Sequence, residues 1–236
     1  LEGKVLGIAC ESAVTGHSGI HHFELDRDIS HSEEAICGGQ ATVLIDSGVK
    51  DHLDLFRELE DLIRKRIPCT LTTEYLQGRK DRPAISRILS QAAGNEKICE
   101  FSMTAVSGEE GQPQGFRLIE SVYPSPRLII AGAGHIGKSL SHLGSLLDFE
   151  VTVVDDRKEF ACRENLPDAD HIIADDIEHA MTGIEKNSDT FIVIVTRGHN
   201  DDAGALRPCI GSNAAYIGMI GSRTKIEKMR RNFIGK

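Results

Sequence analysis

The sequence predicts an α/β protein: a C-terminal Rossmann-like, doubly wound parallel sheet over residues 127–236, preceded by a smaller α+β domain over residues 1–123. Three observations predict it. Leu128 to Asp156, LIIAGAGHIGKSLSHLGSLLDFEVTVVDD, sets an apolar run, a glycine-spaced turn, an amphipathic segment and a second apolar run in βαβ order. Downstream, short apolar runs recur at residues 171–174, 191–195 and 215–221, with segments between them that read as helices. Upstream, one amphipathic helix stands among several strand-like runs, and Tyr123-Pro124-Ser125-Pro126 supplies an extended linker.

At 236 residues, the chain is long enough for one large or two modest domains with real cores. Its net charge of −9 argues against nucleic acid, which is bound by neutralising phosphates with Lys and Arg. No apolar run is long enough to span a bilayer and no signal-peptide pattern opens the chain, so a cytoplasmic address is expected. The six cysteines, at 10, 37, 69, 99, 162 and 209, form no C-x-x-C pair, which argues against a zinc site or a disulfide framework. Most are expected to pack as small apolar residues. The abrupt beginning and the end at Ile234-Gly235-Lys236 suggest a natural sequence that continues past both.

In order, residues 3–10, GKVLGIAC, read as a short strand. A turn at Thr15 to Gly19 leads to an alternating strand, Ile20 to Leu25. His21 and His22 would point to opposite faces of it, so with His17 they are expected to be exposed or satisfied rather than joint metal ligands. A polar loop from Asp26 to Glu34 ends at Cys37-Gly38-Gly39, before a strand at residues 41–45. Two readings of that entrance stand level: a thiol beside unobstructed backbone amides that could receive an anion, or a bulge whose Cys37 is merely packed.

From Asp51, placed as N-cap, Leu55, Phe56, Leu59, Leu62 and Ile63 share one face of a core helix. Its basic end, Arg64-Lys65-Arg66, complements the helix dipole. Pro68 stops it, and strands are expected at residues 69–76, 98–106 and 115–123, the last two joined by a turn-rich hairpin loop at residues 107–113.

In the second half, Gly132, Gly134 and Gly137 spell G-x-G-x-x-G. The first allows a tight turn, the second a close approach of backbone to a pyrophosphate, and the third close packing of helix on strand. The helix N-terminus then faces the phosphates. Ligands of such sheets sit beyond the carboxyl ends of the strands. His135, Asp155, Asp156, Thr196, His199, Gly221, Ser222 and Arg223 are all expected there. Asp155 would accept hydrogen bonds from a ribose diol, although Arg157 nearby could instead bind a phosphate. His135 and His199 could serve as acid or base, or could orient ligand and backbone. Ser222-Arg223 reads equally as an anion site or as an ordinary helix cap with a surface arginine.

Taken together, Cys37-Gly38-Gly39 with Val43-Leu44-Ile45, Leu128 through Asp156, Val195-Thr196-Arg197-Gly198-His199 and residues 216–223, YIGMIGSR, resemble the xanthine dehydrogenase accessory-factor family, XdhC/CoxI. The family's Gly-Gly-Cys stretch near the N-terminus is represented here only by Gly7-Ile8-Ala9-Cys10-Glu11, and its usual C-terminal segment does not follow Lys236. The resemblance implies a maturation chaperone rather than an enzyme. Such a factor binds molybdenum cofactor, as molybdopterin or its dinucleotide form, protects it during sulfuration and passes it to a molybdenum hydroxylase apoenzyme. A cysteine desulfurase and a second copy of the chain are further implied partners. Cys37, Gly38 and Gly39 would handle the cofactor, and the crevice at Gly134, Ser222 and Arg223 would take its phosphate. The alternative from the motif itself is an NAD(P)-dependent oxidoreductase or a nucleotide-sensing domain.

Overall fold

The computed structural model describes residues 1–25, 39–76, 83–91, 102–106 and 115–234. The chain divides into two compact units, Leu1–Pro124 and Ser125–Lys236.

The N-terminal unit is α+β. Helix α1, Glu2–Thr15, occupies the place where a strand was expected. The apolar run there is too short for its period to separate helix from strand, and what fixes the end is Gly16, whose left-handed backbone (φ 72°) turns its amide onto the Ser12 carbonyl. Strands β1, Gly19–Leu25, and β2, Gly39–Ile45, form an antiparallel pair in which Gly39 faces Leu25. The core helix α2, Leu53–Arg64, begins later than expected, because a 3-10 turn at Val49–His52 precedes it and Asp51 does not cap it. Its apolar face is as read from the sequence, with Leu62 buried and Leu55, Phe56, Leu59 and Ile63 half-buried. The basic end is tied back by Arg64–Glu60 and Lys65–Asp61 pairs, both 2.7 Å.

Four antiparallel strands complete this unit: β3, Cys69–Leu76; β4, Ala84–Gln91; β5, Ser102–Val106; and β6, Gly115–Val122, in the order β4-β3-β6-β5. The expected strand at residues 98–106 is described only from Ser102, and β4 has no counterpart among the expected elements. Along β3, Cys69, Leu71, Thr73 and Tyr75 are buried in strict alternation, and Tyr75 stacks on Phe116 of β6.

The C-terminal unit is the Rossmann-like sheet. Its strands are β7, Arg127–Ala131; β8, Glu150–Asp155; β9, His171–Ala174; β10, Thr190–Ile194; and β11, Tyr216–Met219. All pair in parallel, in the order β11-β10-β7-β8-β9. Continuous apolar runs make the central strands because both faces are covered: Ile129, Ile130, Val151, Val153, Val154, Ile192 and Ile194 are fully enclosed. Helices α3, His135–Leu146; α4, Ile177–Gly183; α5, His199–Leu206; and α6, Arg223–Ile234, follow β7, β9, β10 and β11.

One connection departs from the expected helices. Between β8 and β9 the chain runs through turns at residues 156–170. Pro167 interrupts any helix there, and side chains bind backbone in place of a helical ladder. Asn165 donates to the Ala133 and Phe160 carbonyls at 3.0 and 2.9 Å, and Arg163 donates to the Ala169 carbonyl. Asn165 thereby ties this loop to the glycine turn after β7. Among the described residues, no helix is long and apolar enough to cross a membrane.

Candidate functional site

The crevice at the carboxyl edge of the parallel sheet is built around the turn after β7. Gly132 adopts φ 112°, a conformation side chains rarely tolerate, and a Cβ there would lie 2.7 Å from the Val195 carbonyl oxygen. Gly137 lies buried on α3 with its Cα against the Gly132 carbonyl, so a Cβ would overlap that oxygen. Gly134 differs from both: it caps α3 in extended backbone, and a Cβ would meet nothing within 4 Å. Two glycines are therefore required by packing, and the third borders open space. No hydrogen bond among the described residues uses the amides of Gly134, His135 or Ile136, the first-turn donors that helix geometry leaves unpaired.

Asp155 ends β8 and is buried, 1% exposed. Its Oδ2 accepts from the Ala133 amide at 2.7 Å and Arg157 Nη2 at 2.9 Å. Its Oδ1 accepts from the Arg157 amide at 3.0 Å and Nε at 2.8 Å. Burial works to raise its pKa, but the Arg157 guanidinium and the two amides outweigh it and hold the carboxyl below the ordinary carboxylate value. The guanidinium in turn lies over the Phe160 ring, 3.8 Å from its centroid. A carboxylate offers about four acceptor positions, and all four are taken. Asp155 therefore locks the glycine turn to the end of β8 and has no acceptor left for a ribose diol in this arrangement. Its neighbour Asp156 is exposed and lies 3.7 Å from Arg197 Nη2 and 3.9 Å from Arg157 Nε.

On the other side of β7, Thr196 follows β10 and its hydroxyl donates to Asp202 Oδ1 at 2.5 Å. Asp202, on α5, is fully buried, and its Oδ2 pairs with Lys225 of α6. Thr196 is thus engaged in holding α5 and α6 in place. His199 is the first residue of α5, and His135, exposed, is the first of α3, where its carbonyl accepts from Ser139 Oγ. Gly221 and Ser222 lie between β11 and α6. Ser222 Oγ accepts from the Lys225 amide at 3.3 Å, the contact of a helix cap, and Arg223 is exposed at the first helical position.

Of the sequence-derived site residues, the sheet gathers Gly132, Gly134, His135, Gly137, Asp155, Asp156, Thr196, His199, Gly221, Ser222 and Arg223 at the carboxyl ends of its strands or the helix starts that follow them. Gly39 opens β2 in the other unit, while Cys37 and Gly38 lie outside the described residues. Asp202, Lys225 and Asn165 are not among the site residues that the sequence points to. No local spacing signals a pair whose members sit on different helices.

In the N-terminal unit, a polar cavity of about 520 Å³ is lined by His17, Ser18, Asp46, Ser47, Asp51 and His52 among others. Asp46 is enclosed there against Arg87 at 2.6 Å, and burial, which would raise its pKa, is outweighed by Arg87, the Gly48 amide and Ser18, which lower it. His22 pairs with Thr42 at 3.0 Å. Among the described residues, no group of three or more His, Cys, Asp or Glu side chains is placed to hold a metal ion. Cys69 and Cys209 are buried, which pushes both thiols up, whereas Cys10 is exposed and Cys162 half-buried.

The strand order, the positive-φ glycine of the first turn and the open helix start define a Rossmann-type domain with the first turn of a dinucleotide binder. Residues 128–235, a little under half of the chain, match the family model of the XdhC Rossmann domain. Two relatives are similar over the same kind of span. The uncharacterized protein YqeB of Escherichia coli K12 is 30% identical over 107 residues, which is 45% of this chain and 19% of that protein. A Bacillus subtilis 168 protein named as a probable xanthine dehydrogenase subunit is 27% identical over 111 residues, 47% of this chain and 34% of that protein. The matches thus span about a fifth and a third of these relatives' lengths. A Bacillus halodurans structure described as a xanthine dehydrogenase matches with a TM-score of 0.70 at 21% identity, over 98% of this chain and 69% of that one, a likeness of fold.

Proposed function

We propose that this chain serves the maturation of a xanthine dehydrogenase-type molybdenum hydroxylase, binding molybdenum cofactor and passing it to the apoenzyme. The XdhC Rossmann domain at residues 128–235 carries this reading. The name of the Bacillus subtilis relative, which ties it to a xanthine dehydrogenase, supports it. In this role the cofactor is cargo. Its phosphate, or the pyrophosphate of its dinucleotide form, fits the start of α3, where the amides of Gly134, His135 and Ile136 have no partner among the described residues and lie beside the open space at Gly134. Arg223 and the Ser222 hydroxyl are proposed to support the same anion, and Cys37, Gly38 and Gly39 are proposed, from the sequence resemblance alone, to take part in cofactor handling. Once delivered, the cofactor supplies the metal chemistry of the hydroxylase; this chain binds, shields and releases. A cysteine desulfurase and a second copy of the chain complete the proposed partners, in the cytoplasm.

The competing reading is an NAD(P)-dependent oxidoreductase, favoured by the glycine triplet but opposed by the saturated Asp155. The test mixes the protein with isolated molybdenum cofactor and, separately, with NAD, and measures both affinities. Cofactor retention, followed by activation of an apo-hydroxylase, is expected. Tight NAD binding with hydride transfer to a small carbonyl compound, and no cofactor retention, would overturn the proposal. Cys37→Ala is expected to weaken retention with the fold intact; unchanged retention would make Cys37 a packing residue.

A further inference from the structure

Resting on the reading that this crevice takes a phosphate-bearing ligand, we infer that Asp156 and Arg197 form a strap over the glycine turn that the ligand must exchange. Its phosphate takes over Arg197, and the freed Asp156, not Asp155, accepts from a ribose diol. The ligand class is thus a nucleotide with an unphosphorylated ribose.

The placement follows from the sheet. Strand β7 lies between β10 and β8, and its end is bonded to both neighbours: the Gly132 amide to the Val154 carbonyl at 2.7 Å, and the Val195 amide to the Ala131 carbonyl at 2.8 Å. Asp156 directly follows β8 and Arg197 follows β10. The 3.7 Å approach of Arg197 Nη2 to Asp156 Oδ1 therefore joins the loops on either side of the glycine turn, over which a phosphate would reach the start of α3. The pair is too long for a hydrogen bond and both side chains are about half exposed, 59% and 47%, so water competes for both ends and the strap opens readily. A phosphate offers Arg197 a closer, two-pronged partner than this carboxylate does.

The diol assignment comes from the neighbouring acid. A ribose bound across such a sheet is read by a carboxylate at the end of the second strand. Asp155 is excluded, being buried with both oxygens engaged by Arg157 and Ala133. Asp156 is next along the chain, exposed, and held only by ion pairs beyond hydrogen-bond length among the described residues.

Calorimetric titration of the full chain with inorganic pyrophosphate, ADP and 2′-deoxy-ADP tests this. Arg197→Gln is expected to weaken all three by about tenfold or more while keeping the preference for ADP over its 2′-deoxy form. Asp156→Asn should act in opposite directions on different probes. It should tighten pyrophosphate about two- to fivefold by releasing Arg197, and erase the preference for ADP, roughly tenfold in the unaltered chain. Both side chains are exposed, so unchanged circular dichroism is expected and certifies the comparison. Pyrophosphate affinity that falls or stays level in Asp156→Asn, or an ADP preference that survives it, overturns the strap while leaving the phosphate site standing. If none of the three probes binds the unaltered chain, the phosphate-site reading itself fails.

Discussion

Replacing Lys225 with methionine removes the cation that faces a buried carboxylate and should unfold the C-terminal unit at markedly lower temperature. Asp202 is fully buried; its Oδ1 holds the Thr196 hydroxyl and its Oδ2 faces the Lys225 ammonium, whose side chain is only 21% exposed. Methionine keeps the apolar stem but leaves that oxygen enclosed without its cation. Breaking one side of a buried pair costs about 3–5 kcal/mol, and the partial exposure of Lys225 places this one near 3 kcal/mol. For a domain of about this size each kcal/mol moves the midpoint by roughly 4–8 °C, so a fall of roughly 12 °C or more is expected. Scanning calorimetry suits the measurement because two units can melt in separate transitions. Adding Asp202→Asn to Lys225→Met removes the buried charge and should recover much of the loss, leaving about 1–2 kcal/mol from imperfect hydrogen bonds. A fall below about 3 °C in the single variant, or a double variant no better than the single, would refute the ion-pair account.

Two further substitutions test the walls of the crevice. Gly137→Ala should destabilise the C-terminal unit although alanine favours helices by about 1 kcal/mol. The new methyl group meets the Gly132 carbonyl, backbone that cannot swing aside, and overpacking of this kind costs roughly 1–3 kcal/mol or more; a higher midpoint would show that the turn yields. Asp155 contributes on the acid side. Its folded pKa lies below the unfolded value of about 3.9, so its stabilisation is full above that pH and lost as pH falls through the lower, folded value. Asp155→Asn should therefore lower stability at neutral pH and flatten the decline below about pH 4, in denaturant titrations run from pH 7 to pH 2; an unchanged acid slope would contradict the assignment.

The C-terminal unit was legible because parallel strands buried on both faces leave continuous apolar runs, and the glycine triplet marks where the first of them turns. Its site was legible in position more than in role. Spacing located Asp155, but only the fold shows that Arg157, two residues on, consumes its acceptors and passes the exposed position to Asp156. Ser222 is likewise engaged as a cap, one of the two roles its sequence allowed. The Thr196–Asp202–Lys225 cluster left no local signal because it depends on α5 and α6 meeting the end of β10. In the N-terminal unit, α1 stands where a strand is expected because Val5 to Cys10 is apolar without a decisive period. The link at residues 156–170 departs from the expected helix because its order comes from Asn165 and Arg163 side chains binding backbone carbonyls, one of them on the glycine turn.

The most direct test of the proposed cofactor site is a retention measurement on Gly134→Asp. That position is already extended backbone with no atom within 4 Å of a Cβ, so the substitution fits without repacking and sets a carboxylate where an anion is proposed to bind. After incubation with isolated molybdenum cofactor and gel filtration, the unaltered chain should carry the pterin and molybdenum. The Gly134→Asp chain, melting at the same temperature, should carry neither. Equal retention by the two chains would place the cargo somewhere other than the glycine turn.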